Sequence, residues 1–365
     1  MGAVHRSAER RVTDPGGRAA SLAAALLAPF VAASTPAGAA EAPRGAGYAV
    51  IERWKPGGSG GWDYLTVDPP RHRLFVTRGD HVEVFDLPSG KVVGRIPDTA
   101  GVHGVELAPA LKRGYTSNGR ANTVTEFDYD TLAVLREVPV QGENPDALLY
   151  EAGTGRLFVF NGRSRNATVF DARTLALVAQ LPLPDKPEFA VADGRGRVYV
   201  NIQSEAGQLV KIDAARLAVL ATWPLDGCAF PTGLAIDPAH ARLFSVCDSK
   251  LMVVTDAASG RQVARVAIGA RPDAAAFDAA RGLVFSSNGE GTLTIVRAGP
   301  RDAYAVAATL ETQRGARTMA LDETTRRVYL VTADFGPPPA ATPEQPQPRP
   351  QILPDTFTVL IAAPR

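Results

Sequence analysis

The sequence contains few of the residues on which most metal and redox centres depend. Only two cysteines, five histidines and three tryptophans occur among its 365 residues. It has no HExxH zinc motif, no C-x-x-C-H haem attachment and no glycine-rich phosphate-binding loop. These absences exclude the signatures of zinc proteases, c-type haem proteins and P-loop nucleotide hydrolases. No cofactor is evident, and a multi-histidine metal centre is not expected.

An excess of charge of either sign is also missing. The chain carries 39 Lys and Arg against 38 Asp and Glu, which gives a formal net charge of +1. Such a balance produces no strong field that would attract nucleic acid or an anionic membrane, so nucleic acid is not an expected partner. Hydrophobic residues make up 45% of the chain, which is enough for a substantial core and argues against wholesale disorder.

Long apolar runs are absent except near the N-terminus. Residues 21–34 form an apolar stretch that follows several arginines and precedes the small residues of 37–40. This pattern predicts a secretory signal peptide over 1–40 that is cleaved, so we expect a periplasmic or secreted protein. The stretch is too short for a comfortable membrane span, and no span is expected after cleavage. An uncleaved anchor is the alternative, and Arg10-Arg11 leaves the choice between general and twin-arginine export open.

No segment has a sustained helical period, and a repeat of alternating apolar residues takes its place. Seven related segments each contain an aromatic anchor, and successive anchors are 40 to 45 residues apart: Phe75, Tyr115, Phe158, Tyr199, Phe244, Phe285 and Tyr329. Periods of this length are typical of β-propeller blades, and each unit divides into four short strands separated by turn residues. The sequence therefore predicts an all-β, seven-bladed β-propeller with four-stranded blades, a single domain over 41–365.

The last repeat lacks a fourth strand. It ends with FTVLI at 357–361, whereas a spare strand, YAVIERW at 48–54, precedes the first full unit. Because a ring must leave no edge open, we expect the N-terminal strand to complete the last blade. A Pro-rich loop at 336–354 interrupts that blade between its second and third strands, and polyproline II backbone is expected there. This loop is either a lid or docking arm, or a mobile insertion without function.

The repeat resembles the YVTN family, to which the bacterial YncE-like proteins belong. The family motif, Tyr-Val-Thr-Asn followed by a Val-x-Val-Ile-Asp strand, appears here as FVTR (75–78) with VEVFD (82–86) and as YTSN (115–118) with VTEFD (124–128). The resemblance implies a propeller whose motif residues build blades, and it carries no catalytic motif. It therefore implies a binding or scaffold protein without catalysis. By analogy with propellers that accompany redox enzymes, an accessory protein of a periplasmic redox system is an alternative.

Equivalent positions in the repeat locate the region where chemistry is possible. The loops between blades share one face of a propeller with the loops between second and third strands, and this face surrounds the channel mouth. Twelve residues before the anchors lie Asp63, His103, Asp146, Pro187, Thr232, Asp273 and Arg317, with Glu188 one position later. The candidate ligand-binding ring is therefore Asp63, His103, Asp146, Glu188, Asp273 and Arg317, and its ligand is an unidentified protein or small molecule.

Three chemical interpretations of this ring stay open. Asp63, Asp146 and Asp273 offer oxygen ligands for a divalent cation, and His103 would adapt the site to a transition metal. With Arg317 holding an anionic substrate, such a site would support a metal-assisted, lactonase-like hydrolysis. The structural alternative is that Asp146 and Asp273, each of which follows a proline, are turn residues that accept backbone hydrogen bonds.

Two further features are ambiguous at the level of sequence. The dipeptides Asn118-Gly119, Asn161-Gly162 and Asn288-Gly289 predict turns with positive φ, and Arg120, Arg163 and Arg165 beside them form a modest basic patch. This patch favours an acidic ligand or is simply a solvated loop. Cys228 and Cys247 are expected to form a disulfide in an exported protein, with two buried thiols as the alternative. A monomer is expected.

Overall fold

The computed structural model describes residues 47–340, 342, 348 and 350–365. These residues form seven antiparallel sheets of four strands each, which confirms the predicted all-β, seven-bladed propeller. The predicted signal peptide lies outside the described residues. In the described part of the chain, no helix is long and apolar enough to cross a membrane.

Each of the first six blades is a meander of four consecutive strands, with the innermost strand first. Blades 1 and 2 contain β2 (Leu65–Asp68), β3 (Arg73–Thr77), β4 (Val82–Asp86), β5 (Val92–Ile96), β6 (Val102–Ala108), β7 (Arg113–Asn118), β8 (Thr123–Asp128) and β9 (Val134–Pro139). Blades 3 and 4 contain β10 (Pro145–Glu151), β11 (Arg156–Asn161), β12 (Asn166–Asp171), β13 (Leu177–Pro182), β14 (Pro187–Ala192), β15 (Arg197–Ile202), β16 (Gln208–Asp213) and β17 (Ala218–Pro224). Blades 5 and 6 contain β18 (Pro231–Asp237), β19 (Arg242–Cys247), β20 (Leu251–Asp256), β21 (Gln262–Ala267), β22 (Pro272–Asp278), β23 (Leu283–Asn288), β24 (Thr292–Ala298) and β25 (Tyr304–Glu311).

Blade 7 is built from both ends of the described chain. It contains β26 (Met319–Asp322), β27 (Arg327–Thr332) and β28 (Thr358–Pro364), and its outermost strand is β1 (Tyr48–Trp54). β1 pairs antiparallel with β28, from Tyr48 opposite Pro364 to Trp54 opposite Val359. The predicted completion of the last blade by the N-terminal strand is therefore confirmed.

The second strands, which contain the aromatic anchors, are nearly continuous apolar runs. All seven anchors lie in second strands, and none of them is more than 2% exposed. A second strand is covered by neighbouring blades on both faces, so both of its side-chain rows are buried. Each large aromatic ring buries roughly 150–250 Å² of surface, so the anchors contribute strongly to the hydrophobic core of the blades.

The outermost strands share a feature that the sequence does not reveal. In every blade the pairing of the outermost strand shifts by one residue, as between Val84 and Phe85 in blade 1 and between Val50 and Glu52 in blade 7. The residue left out of register in these two blades is exposed: Val93 is 56% exposed and Ile51 is 50% exposed. Such bulges twist an edge strand and interrupt its hydrogen-bonding row, which protects the outer edges of the ring against pairing with another chain.

Two local connections stabilise loops at the mouth. Cys228 and Cys247 form a disulfide with their Cα atoms 5.2 Å apart, and Cys247 lies opposite Pro231 in the β18–β19 pair. The Pro-rich insertion leaves and rejoins blade 7 as a short hairpin, in which the N–H of Gly336 donates to the carbonyl of Gln351 over 2.9 Å. Residues 341, 343–347 and 349 of the insertion lie outside the described part of the chain.

Candidate functional site

The structure places all six residues of the predicted ring in the lining of one cavity at the channel mouth, with a volume of about 750 Å³. Four of them are at the start of innermost strands: His103 in β6, Asp146 in β10, Glu188 in β14 and Asp273 in β22. Asp63 lies two residues before β2, and Arg317 lies two residues before β26. The ring arises because each blade repeats the same strand order, so equivalent positions meet around the axis.

Five of these side chains form a row of alternating charge. Nδ1 of His103 lies 2.6 Å from Oδ2 of Asp63 and 3.8 Å from Oδ1 of Asp146. On the other side of Asp63, Nη2 of Arg317 lies 3.6 Å from its Oδ1, and Nη1 of Arg317 donates to Asp273. His103 thus bridges two carboxylates, and Arg317 bridges two carboxylates, with Asp63 common to both groups.

Glu188 is in contact with a lysine that the sequence analysis missed. Nζ of Lys186 lies 2.6 Å from Oε2 of Glu188 and donates to Oε1 of Gln203 over 2.7 Å. Lys186 immediately precedes Pro187, the proline at the ring position of blade 4, and this adjacency was the only signal in the sequence. Tyr64 was missed as well, although it follows Asp63 directly and lies in the same cavity.

Burial raises the pKa of three carboxyl groups in the cavity. Asp146, Glu188 and Asp273 are only 6%, 8% and 8% exposed. Desolvation, together with the charge of Asp146, raises the pKa of Glu188 to about 8. Desolvation also raises the pKa of Asp273 to about 7 against the opposing effect of Arg317, and it raises the pKa of Asp146. The cavity therefore contains carboxylates whose negative charge the available cations do not fully compensate.

The surroundings of His103 also raise its pKa, and for an imidazole a raised pKa favours the charged form. Burial on its own disfavours the imidazolium, but the hydrogen bond to Asp63 and the charges of Asp146 and Asp63 outweigh that cost and raise the pKa of His103 to about 9. His103 is therefore a cation at neutral pH, and its Nδ1–H is directed between two carboxylates.

We expect an NMR titration of the imidazole to give His103 a pKa near 9, and Asp63→Asn to lower it by about one unit or more. Since the folded-state pKa exceeds the ordinary value of 6.5, His103 contributes stability below pH 6.5 that is lost as the pH rises to about 9. His103→Gln should remove that part of the pH dependence of the unfolding free energy. A wild-type pKa near 6.5 would contradict the bridging geometry.

The structure changes the set of residues that fits a metal ion. The sequence predicted Asp63, Asp146 and Asp273, but Arg317 occupies Asp273. Among the described residues, the ligand atoms of Asp63, His103 and Asp146 lie within 4.8 Å of one another and form a group that could hold one ion. Two carboxylates and an imidazole are a donor set suited to a divalent transition metal.

Aromatic and apolar side chains line another part of the cavity. Pro350 and Ile352 from the Pro-rich insertion line it, as do Trp62 and Phe335, the residue just before the insertion. The ring of Trp62 packs against Phe335 and Phe357, with centroids 6.2 and 5.7 Å apart. The described part of the insertion is therefore a wall of the mouth, which gives the cavity an apolar face beside its charged floor.

The Asn-Gly dipeptides have a structural role, but the predicted reason is wrong. Neither Asn118 nor Gly119 has positive φ, and the left-handed residue of that loop is Asn122 with φ 57°. Asn118 is buried, and its Nδ2 donates to the hydroxyls of Thr123 and Thr125 over 3.0 and 2.8 Å. Asn161 and Asn288 make equivalent bonds across their own β-hairpins. These asparagines tie second to third strands and do not face the mouth.

Comparison with known proteins identifies the fold and nothing finer. No protein-family model matches the chain, and no curated protein matches it either. Among solved structures, it is similar to hydrazine synthase of Kuenenia stuttgartiensis, with 16% identity and a TM-score of 0.66 over 74% of this chain and 92% of that chain. It is also similar to the RRP9 WD40 repeats, with 12% identity and a TM-score of 0.68 over 88% of this chain and 98% of that chain. At these identities the likeness shows a β-propeller alone.

Proposed function

We propose that this chain is an exported, YncE-like propeller of the YVTN type that binds a small polar ligand in the mouth cavity and does not itself catalyse a reaction. A propeller fold is consistent with a binding role. The YVTN-like repeat and the apolar run near the N-terminus support the finer assignment to an exported protein.

The observation that carries the proposal is the energetic cost of burying three carboxylates at the channel mouth. Burying an ionised carboxylate is expensive unless its charge is fully compensated, and Asp146, Glu188 and Asp273 are nine-tenths buried with raised pKa values. The blades pack against one another through their buried apolar second strands, in which these three carboxylates take no part. Perturbed ionisable groups in an open cavity are typical of sites that recognise a ligand.

A second candidate is metal-assisted hydrolysis of a lactone or related ester. It is favoured by the group Asp63, His103 and Asp146, which would hold the ion, while a bound cation would polarise a carbonyl group and activate water. A metal ion would have to displace the proton that His103 holds up to about pH 9, so metal affinity should increase with pH.

Thermal unfolding in the presence of candidate ligands tests the binding proposal. The panel contains a diamine, an amino acid, a dicarboxylate, Ca²⁺, Mn²⁺ and Zn²⁺. We expect at least one organic compound to raise the melting temperature by ~2 °C or more in the wild type, and the effect to disappear in Asp63→Ala and Asp273→Ala. Asp226→Ala is the control, since it removes the same charge from a side chain that is 73% exposed and outside the cavity.

The same variants separate the two candidates. Bound metal in the purified protein, together with lactone hydrolysis that Asp63→Ala abolishes, would establish the hydrolase and contradict the non-catalytic proposal. Binding that persists in both mouth variants would place the ligand elsewhere on the propeller.

A further inference from the structure

A second cavity of about 700 Å³ lies beside the first at the mouths of blades 1 to 3. The two cavities share Gly61, Trp62, Asp63 and His103. The residues that distinguish the second cavity include Gly101, Gly119, Arg120, Asn122, Asn144 and Arg163. Its lining thus comes from the loops that enter the blades and from the loops between second and third strands.

The charges of this cavity differ from those of the first. Its basic groups are His103, Arg120 and Arg163, and its only carboxylate is Asp63. Both oxygens of Asp63 already face cations, since Oδ2 faces His103 and Oδ1 faces Arg317. Arg120 and Arg163 are exposed and form no direct ion pair with a carboxylate in the described part of the chain, and the charge of Arg120 lowers the pKa of Asp80, which does not line the cavity. The cavity therefore has positive charge without an internal partner.

Glycines bring these basic groups close to the cavity wall. A Cβ atom on Gly101 would lie 2.5 Å from the backbone N of Arg120, and one on Gly119 would lie 2.5 Å from Nε2 of His103. Either methyl group would push a basic residue out of place. Gly119 is thus required for the close approach of the imidazole, which explains a glycine whose φ is not positive.

Two amide side chains, Asn122 and Asn144, line the same cavity as the arginines and add neutral donors and acceptors. Oδ1 of Asn122 accepts the backbone N–H of Asn144 over 2.7 Å, so the Nδ2 group of Asn122 is not used in that bond. Asn122 and Asn144 are both in the left-handed region, with φ of 57° and 56°, so each loop turns at the cavity wall.

We propose that this second cavity binds the anionic group of a small ligand, a carboxylate or a phosphate, between Arg120 and Arg163. Guanidinium groups bind both anions through paired N–H donors, and an unpaired arginine in a concave site keeps those donors available. This inference rests on the proposed function and narrows it. The ligand has an acidic group over blades 2 and 3, and the rest of it extends past Trp62 into the larger cavity.

Calorimetric titration of the full chain with inorganic phosphate and, separately, with succinate at constant ionic strength tests the proposal and distinguishes the two anions. We expect saturable binding of at least one of them, weakened about tenfold or more by Arg120→Gln and by Arg163→Gln. Arg165→Gln is the matched control, because Arg165 is two residues from Arg163, pairs with Asp185 at 3.2 Å and does not line either cavity. Its affinity should match that of the wild type within about twofold.

Three results would overturn the proposal. The first is no binding of either anion at millimolar concentration, and the second is equal weakening by all three substitutions, which would indicate a general effect of net charge. The third is binding of a single-stranded oligonucleotide that depends equally on Arg165, which would indicate an extended polyanion surface. If a panel compound still binds through Asp273 while both anions fail, the proposed function stands and only the anion site is wrong.

Discussion

Deletion of residues 47–54 is expected to abolish the cooperative fold of the propeller. These residues include all of β1, the outermost strand of blade 7, and both of its end residues are buried: Tyr48 is 5% exposed and Trp54 is 7% exposed. Trp54 packs against Tyr329 of blade 7 and Phe85 of blade 1, with ring centroids 5.8 and 6.1 Å apart. Without β1, the buried strand β28 becomes an open edge and the contact between the first and last blades loses one of its two tryptophans.

A single substitution tests the same closure without removing the strand. Trp54→Ala should lower the free energy of unfolding by about 3–5 kcal/mol, the usual cost of truncating a buried tryptophan. Ile51→Ala on the same strand should change it by less than ~0.5 kcal/mol, because Ile51 is 50% exposed at the bulge. Chemical unfolding followed by circular dichroism measures both changes in the free energy of unfolding. Equal effects of the two substitutions would show that β1 does not close the ring.

The fold was predictable because its information is repeated. Seven aromatic anchors at a spacing of 40 to 45 residues give seven independent observations of one unit, and the missing fourth strand of the last unit has only one available substitute. The bulges of the outer strands were not predictable. The extra residue shifts the alternation, but the outer strands are mostly exposed, so no row of buried residues marks the shift in the sequence.

The positions of the residues at the channel mouth were predictable from the sequence, but their ion-pair partners were not. Counting back from the anchors places Asp63, His103 and Asp273 on one ring, because the repeat fixes equivalent backbone positions. The choice of partners depends on side-chain reach. Arg317 extends to Asp273 and Asp63, and Lys186 reaches Glu188 from one residue outside the ring. Neither distance is encoded in the spacing, so the sequence alone does not show that Arg317 pairs with Asp273.

Two buried glutamates in the same molecule should respond in opposite ways to removal of their charge. Glu126 is 2% exposed, and its oxygens accept hydrogen bonds from Nε of Arg113 and Nε of Arg136 over 2.9 and 2.5 Å. Glu126→Gln leaves these donors poorly matched and should cost roughly 1–3 kcal/mol. Glu188 is in direct contact with one cation, Lys186, and is repelled by Asp146 and Asp273. Glu188→Gln keeps the shape of the side chain and removes that repulsion.

The sign of the effect at Glu188 depends on pH. Its pKa is raised from 4.5 to about 8, so between these values the folded protein holds a proton that the unfolded chain has released. The stability of the wild type therefore falls as the pH rises through this window. The glutamine variant has no such loss. It should match the wild type near pH 5 and exceed its stability at pH 8.5 by at least about 1 kcal/mol, the free energy of less than one pKa unit.

The most direct measurement is the unfolding free energy of the wild type, Glu188→Gln and Glu126→Gln by urea titration at pH 5 and at pH 8.5. If the charges at the channel mouth serve a ligand and destabilise the fold, Glu188→Gln should be more stable than the wild type at pH 8.5. Glu126→Gln should be less stable than the wild type at both pH values. If Glu188→Gln is destabilised to the same extent as Glu126→Gln at pH 8.5, the mouth charges are structural ion pairs and the ligand site is not there.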